Sequence, residues 1–427
     1  DQLFRFSVDP TGGIAYTSRE NLREKLSKLE SEKEDLLEKM VERGIPSKSV
    51  LLNVSINEIF SIFPEALIIS FVPYYGAGFF VIWFDANYSE VGVELLKVKN
   101  MKLTHNAIKE LLNKLFGLHE HISNKYMIMK IKNILSWLSD SVRSVISRAA
   151  NENRIIIISP ASILHDVPWE LFDPDDNGPI GLRCPVFRAY SLFSIVLGYK
   201  RLKSSSNLQM SSMIVGVEDP NNPRYILDGI SNECQLVGKY LKNSRMYIIK
   251  GKKVVPKINK IVNQIKRDLK KSLIFYFSGH GFFTFPADQS SLLLFFKNNR
   301  AIRISAGEIP LIRQGKPGLF AFLNACQTAK THSHIEIGMI MDSRSGFIHS
   351  LLLAGFCAVV ASLWSIRNDV ARTFAEELFS MLAKGISSEE AILRARQQTF
   401  RKHRDSVDWS AFVVYGYPGA LSLTNYQ

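Results

Sequence analysis

The chain has 427 residues, 46% of them apolar and 22% charged, with a mean hydropathy of +0.01. At about 150 residues per domain this length suggests two to three domains, and the composition excludes a disordered, collagenous or rod-like coiled-coil chain. Lys and Arg (53) outnumber Asp and Glu (40), so the net charge of +13 favours acidic partners, nucleic acid included.

The opening stretch DQLFRFSVDP has neither an initiator Met nor the basic, apolar, small order of a signal peptide, so the chain is expected to start inside a longer protein. Residues 20–43 carry a leucine stripe (Leu22, Leu26, Leu29, Leu36) ended by Gly44 and Pro46, which predicts an exposed helix. Apolar segments at 67–72, 78–84 and 91–98 predict a meander of strands. Helical patterns at 104–117 and 126–150 follow, then a buried strand at 154–159. The polar stretch 207–212, after the basic run YKRLKSSS, reads as a linker. Beyond it, apolar strands at 212–217, 245–250, 273–278, 319–324, 357–362 and 412–415 alternate with helical patterns at 229–242, 257–270, 346–355, 369–383 and 387–403. That alternation predicts a mostly parallel sheet with helices on both faces. The organisation expected is thus an N-terminal segment at 1–50, one domain at 51–206 and another at 207–427.

The longest apolar run, 351–361, falls short of the about 20 residues a bilayer span requires, so no membrane segment is expected. Cys184, Cys234, Cys326 and Cys357 form no CxxC pair and no disulfide framework, which points to a reducing cytoplasm. The lysine-rich run at 250–271 repeats Ile258, Ile261, Val262, Ile265 and Leu269 at helical spacing. It reads as the solvated face of an amphipathic helix rather than a nucleic-acid patch, because no aromatic residues are interleaved for stacking. Direct nucleic-acid binding stays open.

Two strand ends carry residues with chemistry. LIFYF leads into Ser278-Gly279-His280-Gly281, and LFAFL leads into Asn324-Ala325-Cys326-Gln327. Ligands of open α/β sheets bind outside the carboxyl ends of the strands. If these two strands are neighbours, His280 and Cys326 share one crevice, and the imidazole can take the thiol proton to leave a nucleophilic thiolate. The N–H groups of Gly281 and Cys326 would then form an oxyanion hole. Read singly, a buried Cys and a loop His are more often structural; it is the pairing that suggests a site. His332, His334 and Glu336 have a spacing that zinc could use on a strand face, but they fall in an expected loop with no fourth ligand, and no metal or other cofactor is expected. His165 is expected to be structural.

FYFSGHG and FLNACQTA resemble the two catalytic motifs of the CHAT peptidases, caspase-like relatives of separase and the metacaspases. ILHDVPWELF (163–172), LDGISNEC (227–234), GFIHSLLLAGFCAVVASLWSIRND (346–369), EAILRAR (390–396) and DWSAFVVYGYPG (408–419) are similar to further segments of that family, in order. The resemblance implies an α/β caspase-like sheet in the second half, packed on a related, inactive half at 51–206, with helical repeats upstream. It implies a cysteine endopeptidase with His280 as general base, Cys326 as nucleophile, and Gly281 and Cys326 supplying the oxyanion N–H groups. Ser362 to Trp364 would be the edge that binds an extended substrate. Asp369, Asp228 and Asp219, in that order, would read a basic side chain; the sequence departs from the family by having Arg367 close to Asp369. The expected partners are a protein substrate and an upstream repeat region or RNA-guided complex that relieves latency, with antiviral defence as a role of some relatives. The alternative is a non-catalytic caspase-like scaffold that binds a ribonucleoprotein.

Overall fold

Strands that are apolar on both faces must be covered on both faces, and the chain solves this with a large central sheet to which both halves contribute strands. The computed structural model describes residues 56–74, 78–97, 110, 123–204, 211–241, 243–282, 289–325, 332–336, 339–343 and 346–423. The strands are β1 (Leu67–Tyr74), β2 (Gly78–Asp85), β3 (Glu90–Lys97), β4 (Ile156–Ser159), β5 (Val186–Arg188), β6 (Ser212–Asp219), β7 (Ser244–Lys250), β8 (Ile274–Ser278), β9 (Gly281–Phe282), β10 (Ser291–Lys297), β11 (Arg300–Ser305), β12 (Gly318–Asn324), β13 (His332–Glu336), β14 (Met339–Ser343), β15 (Phe356–Ser362) and β16 (Phe412–Gly416).

Eleven of them make one sheet in the order β3-β2-β1-β4-β5-β16-β15-β12-β8-β6-β7. The five strands β7, β6, β8, β12 and β15 run parallel. β16 turns antiparallel to β15, and β5, β4 and β1 follow the direction of β16. The meander expected at 67–98 is present as β1–β3, antiparallel throughout. Because the two parts of the sheet point opposite ways, the chain leaves β4 at the end of the sheet opposite to that at which it leaves β8 and β12.

Side-chain alternation fills two cores. Met213, Val215 and Val217 of β6 enter one, with the helix Ile258–Leu269; Ile214 enters the other, with the helices Ile230–Tyr240, Asn368–Ala383 and Ser388–Lys402. A fully buried ionic group ties the neighbouring strands β5 and β16 to the helix Ser388–Lys402. Glu170, in the Pro-Trp-Glu-Leu segment, accepts from Arg188 of β5 at 2.5 Å and lies 3.5 Å from Arg396 of the helix Ser388–Lys402. Arg188 also donates to the His165 carbonyl at 2.7 Å, and Arg396 donates to that of Phe412 at 3.2 Å.

Several elements differ from expectation. The helix expected at 126–150 is two, Asn124–Ile134 and Asp140–Asn151, because the Ser139 hydroxyl accepts from the Val142 N–H and starts a second helix. The hairpin β10–β11 was not foreseen; it turns on Asn298 and Asn299, whose φ values of 49° and 58° suit a tight hairpin turn. His332, His334 and Glu336 belong to β13, paired with β14, rather than to a loop. The helix expected at 20–43 lies outside the described residues, as do all but one residue of that at 104–117 and most of the 207–212 linker. Residues Ser55–Gln427 form one compact unit, and β16 pairs with β5 across the boundary expected near 206. Among the described residues no helix is long and apolar enough to cross a membrane, and no His/Cys/Asp/Glu group is placed to hold a metal ion.

Candidate active site

Neighbouring parallel strands end together, and β8 and β12 do so in register: Ser278 lies opposite Asn324. The Gly279 N–H donates to the Asn324 carbonyl at 3.1 Å, one rung beyond the sheet. A side chain at Gly279 would meet Phe277 and Val217 at 3.1 Å each, which explains the glycine before the histidine. His280 follows on one side; on the other, Ala325 leads to Cys326, which lies outside the described residues. Gly281, in β9, pairs with Leu292 of β10, and the Leu293 N–H donates to the His280 carbonyl at 3.0 Å.

The His280 ring is half-buried. Its Nε2 lies 3.0 Å from the Tyr225 carbonyl oxygen, which can only accept, so Nε2 carries the hydrogen and Nδ1 keeps the lone pair. The Tyr225 ring stands edge-on to the imidazole (5.4 Å) and stacks on Phe296 of β10 (5.2 Å). Burial lowers the His280 pKa below the ordinary imidazole value, with the Tyr225 carbonyl opposing that shift. A neutral ring with a free Nδ1 is a competent base near pH 7.

One buried carboxyl was not singled out from sequence. Glu233, in the first turn of the helix Ile230–Tyr240, is 2% exposed, and its Oε1 accepts from the Tyr276 hydroxyl and from Asn324 Nδ2 at 2.9 Å. Burial raises its pKa despite those donors. The signal was present: Ile230, Glu233, Cys234 and Val237 form one helical stripe, and an acid within an apolar stripe requires partners.

A cleft of about 950 Å³ opens at this end of the sheet, with His280, Asn324 and Glu233 in its wall. Asp228 and Asp369 line it; Asp219 does not. The Asp219 carboxylate accepts from the Asn221 N–H at 2.7 Å and packs against Gly251, where a Cβ would lie 2.3 Å from it. Asp369 is bound by Arg367 through two contacts, at 2.7 and 3.2 Å; burial works against its ionisation, but the guanidinium holds its pKa below the usual carboxylate value. Asp228 is exposed and makes no side-chain ion pair among the described residues.

Ser362 and Trp364 line the cleft but are buried, both 1% exposed. Ser362 sits inside the sheet between β12 and β16 rather than at an edge, and its hydroxyl donates to the Ala325 carbonyl at 2.6 Å. The Leu363 N–H is taken by the Ala411 carbonyl. The Trp364 indole N–H donates to Asp408 at 2.9 Å, and the other Asp408 oxygen accepts from the Arg367 N–H at 3.1 Å. Backbone free to pair with an extended peptide must therefore lie beyond Leu363. His165 is remote from the cleft: it follows β4 at the opposite end of the sheet, and its Nδ1 is 3.0 Å from the Tyr415 hydroxyl. Cys184, Cys234 and Cys357 are buried, and burial pushes the thiols of Cys184 and Cys357 up to about 12 and that of Cys234 well above its ordinary value. Such thiols are inert.

The sequence model of the CHAT domain matches residues 131–417, two thirds of the chain. The chain belongs to the CHAT family. Among solved structures, that of the Saccharomyces cerevisiae separase–securin complex at 3.0 Å is similar to it with a TM-score of 0.55 and 13% identity, covering 84% of this chain and 30% of that one. The 2.6 Å structure of the same complex gives 0.51 and 12% over 84% and 31%. The CHAT chain therefore spans less than a third of the separase chain it matches, and shares its α/β fold. An Arg-specific cysteine proteinase, gingipain R, gives a TM-score of 0.45 at 12% identity over 68% of this chain and 69% of that one. A comparison with curated proteins finds no match.

Proposed function

We propose that this CHAT protein is a cysteine endopeptidase in which Cys326 is the nucleophile and His280 the base. The observation that carries the reading is the His280 Nε2–Tyr225 contact, which leaves Nδ1 as the free basic atom at the end of β8, beside the strand from which Cys326 follows. Nδ1 takes the thiol proton; the thiolate adds to the scissile carbonyl; the protonated ring returns the proton to the leaving amine. Water, deprotonated by the same ring, then hydrolyses the acyl-enzyme. The N–H groups of Gly281 and Cys326 are assigned to the oxyanion.

Asp228 is ranked first for reading a Lys or Arg side chain before the scissile bond, because it lines the cleft with no ion pair of its own. Asp369 comes second, already neutralised by Arg367, and Asp219 drops out because it lies off the cleft. Residues 51–206 are then a related, inactive half and 207–427 the peptidase, held latent until an upstream region or partner complex engages it, with antiviral defence as its setting. Treatment with iodoacetamide followed by mass spectrometry tests the dyad. Selective alkylation of Cys326, slowed by His280→Ala, supports it; equal labelling of all four cysteines rejects it.

A further inference from the structure

Glu233 has no evident reason to be buried where it is. A carboxyl removed from water costs several kcal/mol unless its oxygens are well bonded, and the start of its own helix does not need it. The Ser231 N–H and hydroxyl are already taken by Glu218, at 2.8 Å for the N–H. What Glu233 does instead is join two strands. Tyr276 lies two residues before the end of β8, and Asn324 is the last residue of β12; both donate to the same oxygen, Oε1. On the sheet itself, Asn324 also receives the Gly279 N–H through its backbone carbonyl. The two strand ends are thus tied twice, once by the ladder and once through a carboxyl reaching in from the helix layer. From these ties the chain needs only one further residue to reach His280 from Gly279, and two to reach Cys326 from Asn324.

We propose that Glu233 is a positioning residue for the dyad: through Tyr276 and Asn324 it fixes the spacing of the two strand ends that carry His280 and Cys326. The inference rests on the Cys326–His280 reading above. It requires hydrogen-bond acceptance at Oε1 rather than a negative charge. A glutamine, whose amide oxygen accepts from the same two donors, therefore replaces it, and an alanine does not. Without the tie, the imidazole and the thiol lose their mutual geometry, and a displacement of about 1 Å is enough to cost on the order of a hundredfold.

The test is the rate of Cys326 alkylation by iodoacetamide as a function of pH, read by mass spectrometry, in the wild-type chain and in Glu233→Ala and Glu233→Gln. Cys184, Cys234 and Cys357 are buried and report whether each variant keeps its fold. With those three still protected, Glu233→Ala is expected to slow Cys326 labelling at pH 7 by about tenfold or more and to move its pH profile toward that of an ordinary thiol, near pH 8.5. Glu233→Gln is expected to stay within about threefold of wild type with the wild-type profile. A wild-type rate and profile in Glu233→Ala overturns the proposal, as does a Glu233→Gln variant as impaired as Glu233→Ala. If Glu233→Ala exposes the other cysteines, Glu233→Gln alone decides, by keeping or losing the wild-type profile. Failure of the dyad itself is distinct: there the wild-type chain shows no selective reaction at Cys326 and His280→Ala changes nothing.

Discussion

The Tyr225 carbonyl lies 3.0 Å from Nε2 of His280 and fixes which ring nitrogen is basic. Since burial lowers the ring pKa, the folded protein binds fewer protons at His280 than the unfolded chain does just below pH 6.5. The sign follows: this group's contribution to stability is present above the ordinary imidazole value and is lost as pH falls through that range. Activity is expected to follow the neutral ring, with an acidic limb in the pH–kcat/KM profile below 6.5. A limb above 6.5 contradicts the assignment.

Asp228→Asn is expected to reduce kcat/KM for peptides with Lys or Arg before the scissile bond by roughly 10- to 100-fold, the equivalent of one charged hydrogen bond of about 1.5–3 kcal/mol. Peptides with an uncharged residue there should lose little. Asp369→Asn should change both classes far less, because its charge is already met by Arg367. A paired peptide series measures the difference, and equal losses from the two variants refute the ranking.

Asp408 holds the Trp364 indole N–H and the Arg367 backbone N–H on its two oxygens. Removing it by Asp408→Ala leaves a buried indole donor unpaired, at a cost of about 1–3 kcal/mol. A lower thermal midpoint is expected, together with a raised KM from a loosened cleft wall. An unchanged midpoint would show that the wall does not depend on it.

Glu170→Ala would leave Arg188 and Arg396 buried without a counter-charge. Breaking a buried ionic group from one side costs about 3–5 kcal/mol. Urea titration should therefore show a large fall in midpoint, whereas replacing an exposed pair such as Arg143–Asp140 should give less than about 1 kcal/mol.

The sheet was legible because its strands are apolar on both faces: each one expected in the second half is present within a few residues, and LIFYF and LFAFL proved to be neighbours in register. Short elements set by local turn chemistry were harder. β5 has three residues, and SLLLFF before the Asn298-Asn299 turn is a continuous apolar run rather than an alternating strand, which hides the hairpin. His280 could be found from its glycine frame. The sequence ranks Asp369 ahead of Asp228, and the order proposed here is reversed because Arg367 binds the Asp369 carboxylate while Asp228 lines the cleft without an ion pair among the described residues. Glu233 was hidden by its place in a first helical turn, where an acid ordinarily serves the helix dipole.

The hairpin β10–β11 belongs to a sheet of its own with β9, yet it holds both members of the histidine pair. Leu293 binds the His280 carbonyl, Phe296 supports the Tyr225 ring, and the Phe296 N–H donates to the Pro220 carbonyl at 2.7 Å. The strand that leads to Cys326 answers to the central sheet instead. His280 thus has a second anchor outside the central sheet, besides the β8–β12 pairing it shares with the strand leading to Cys326. A load on the hairpin would therefore reach His280 through Leu293 and the Tyr225 ring through Phe296 at the same time.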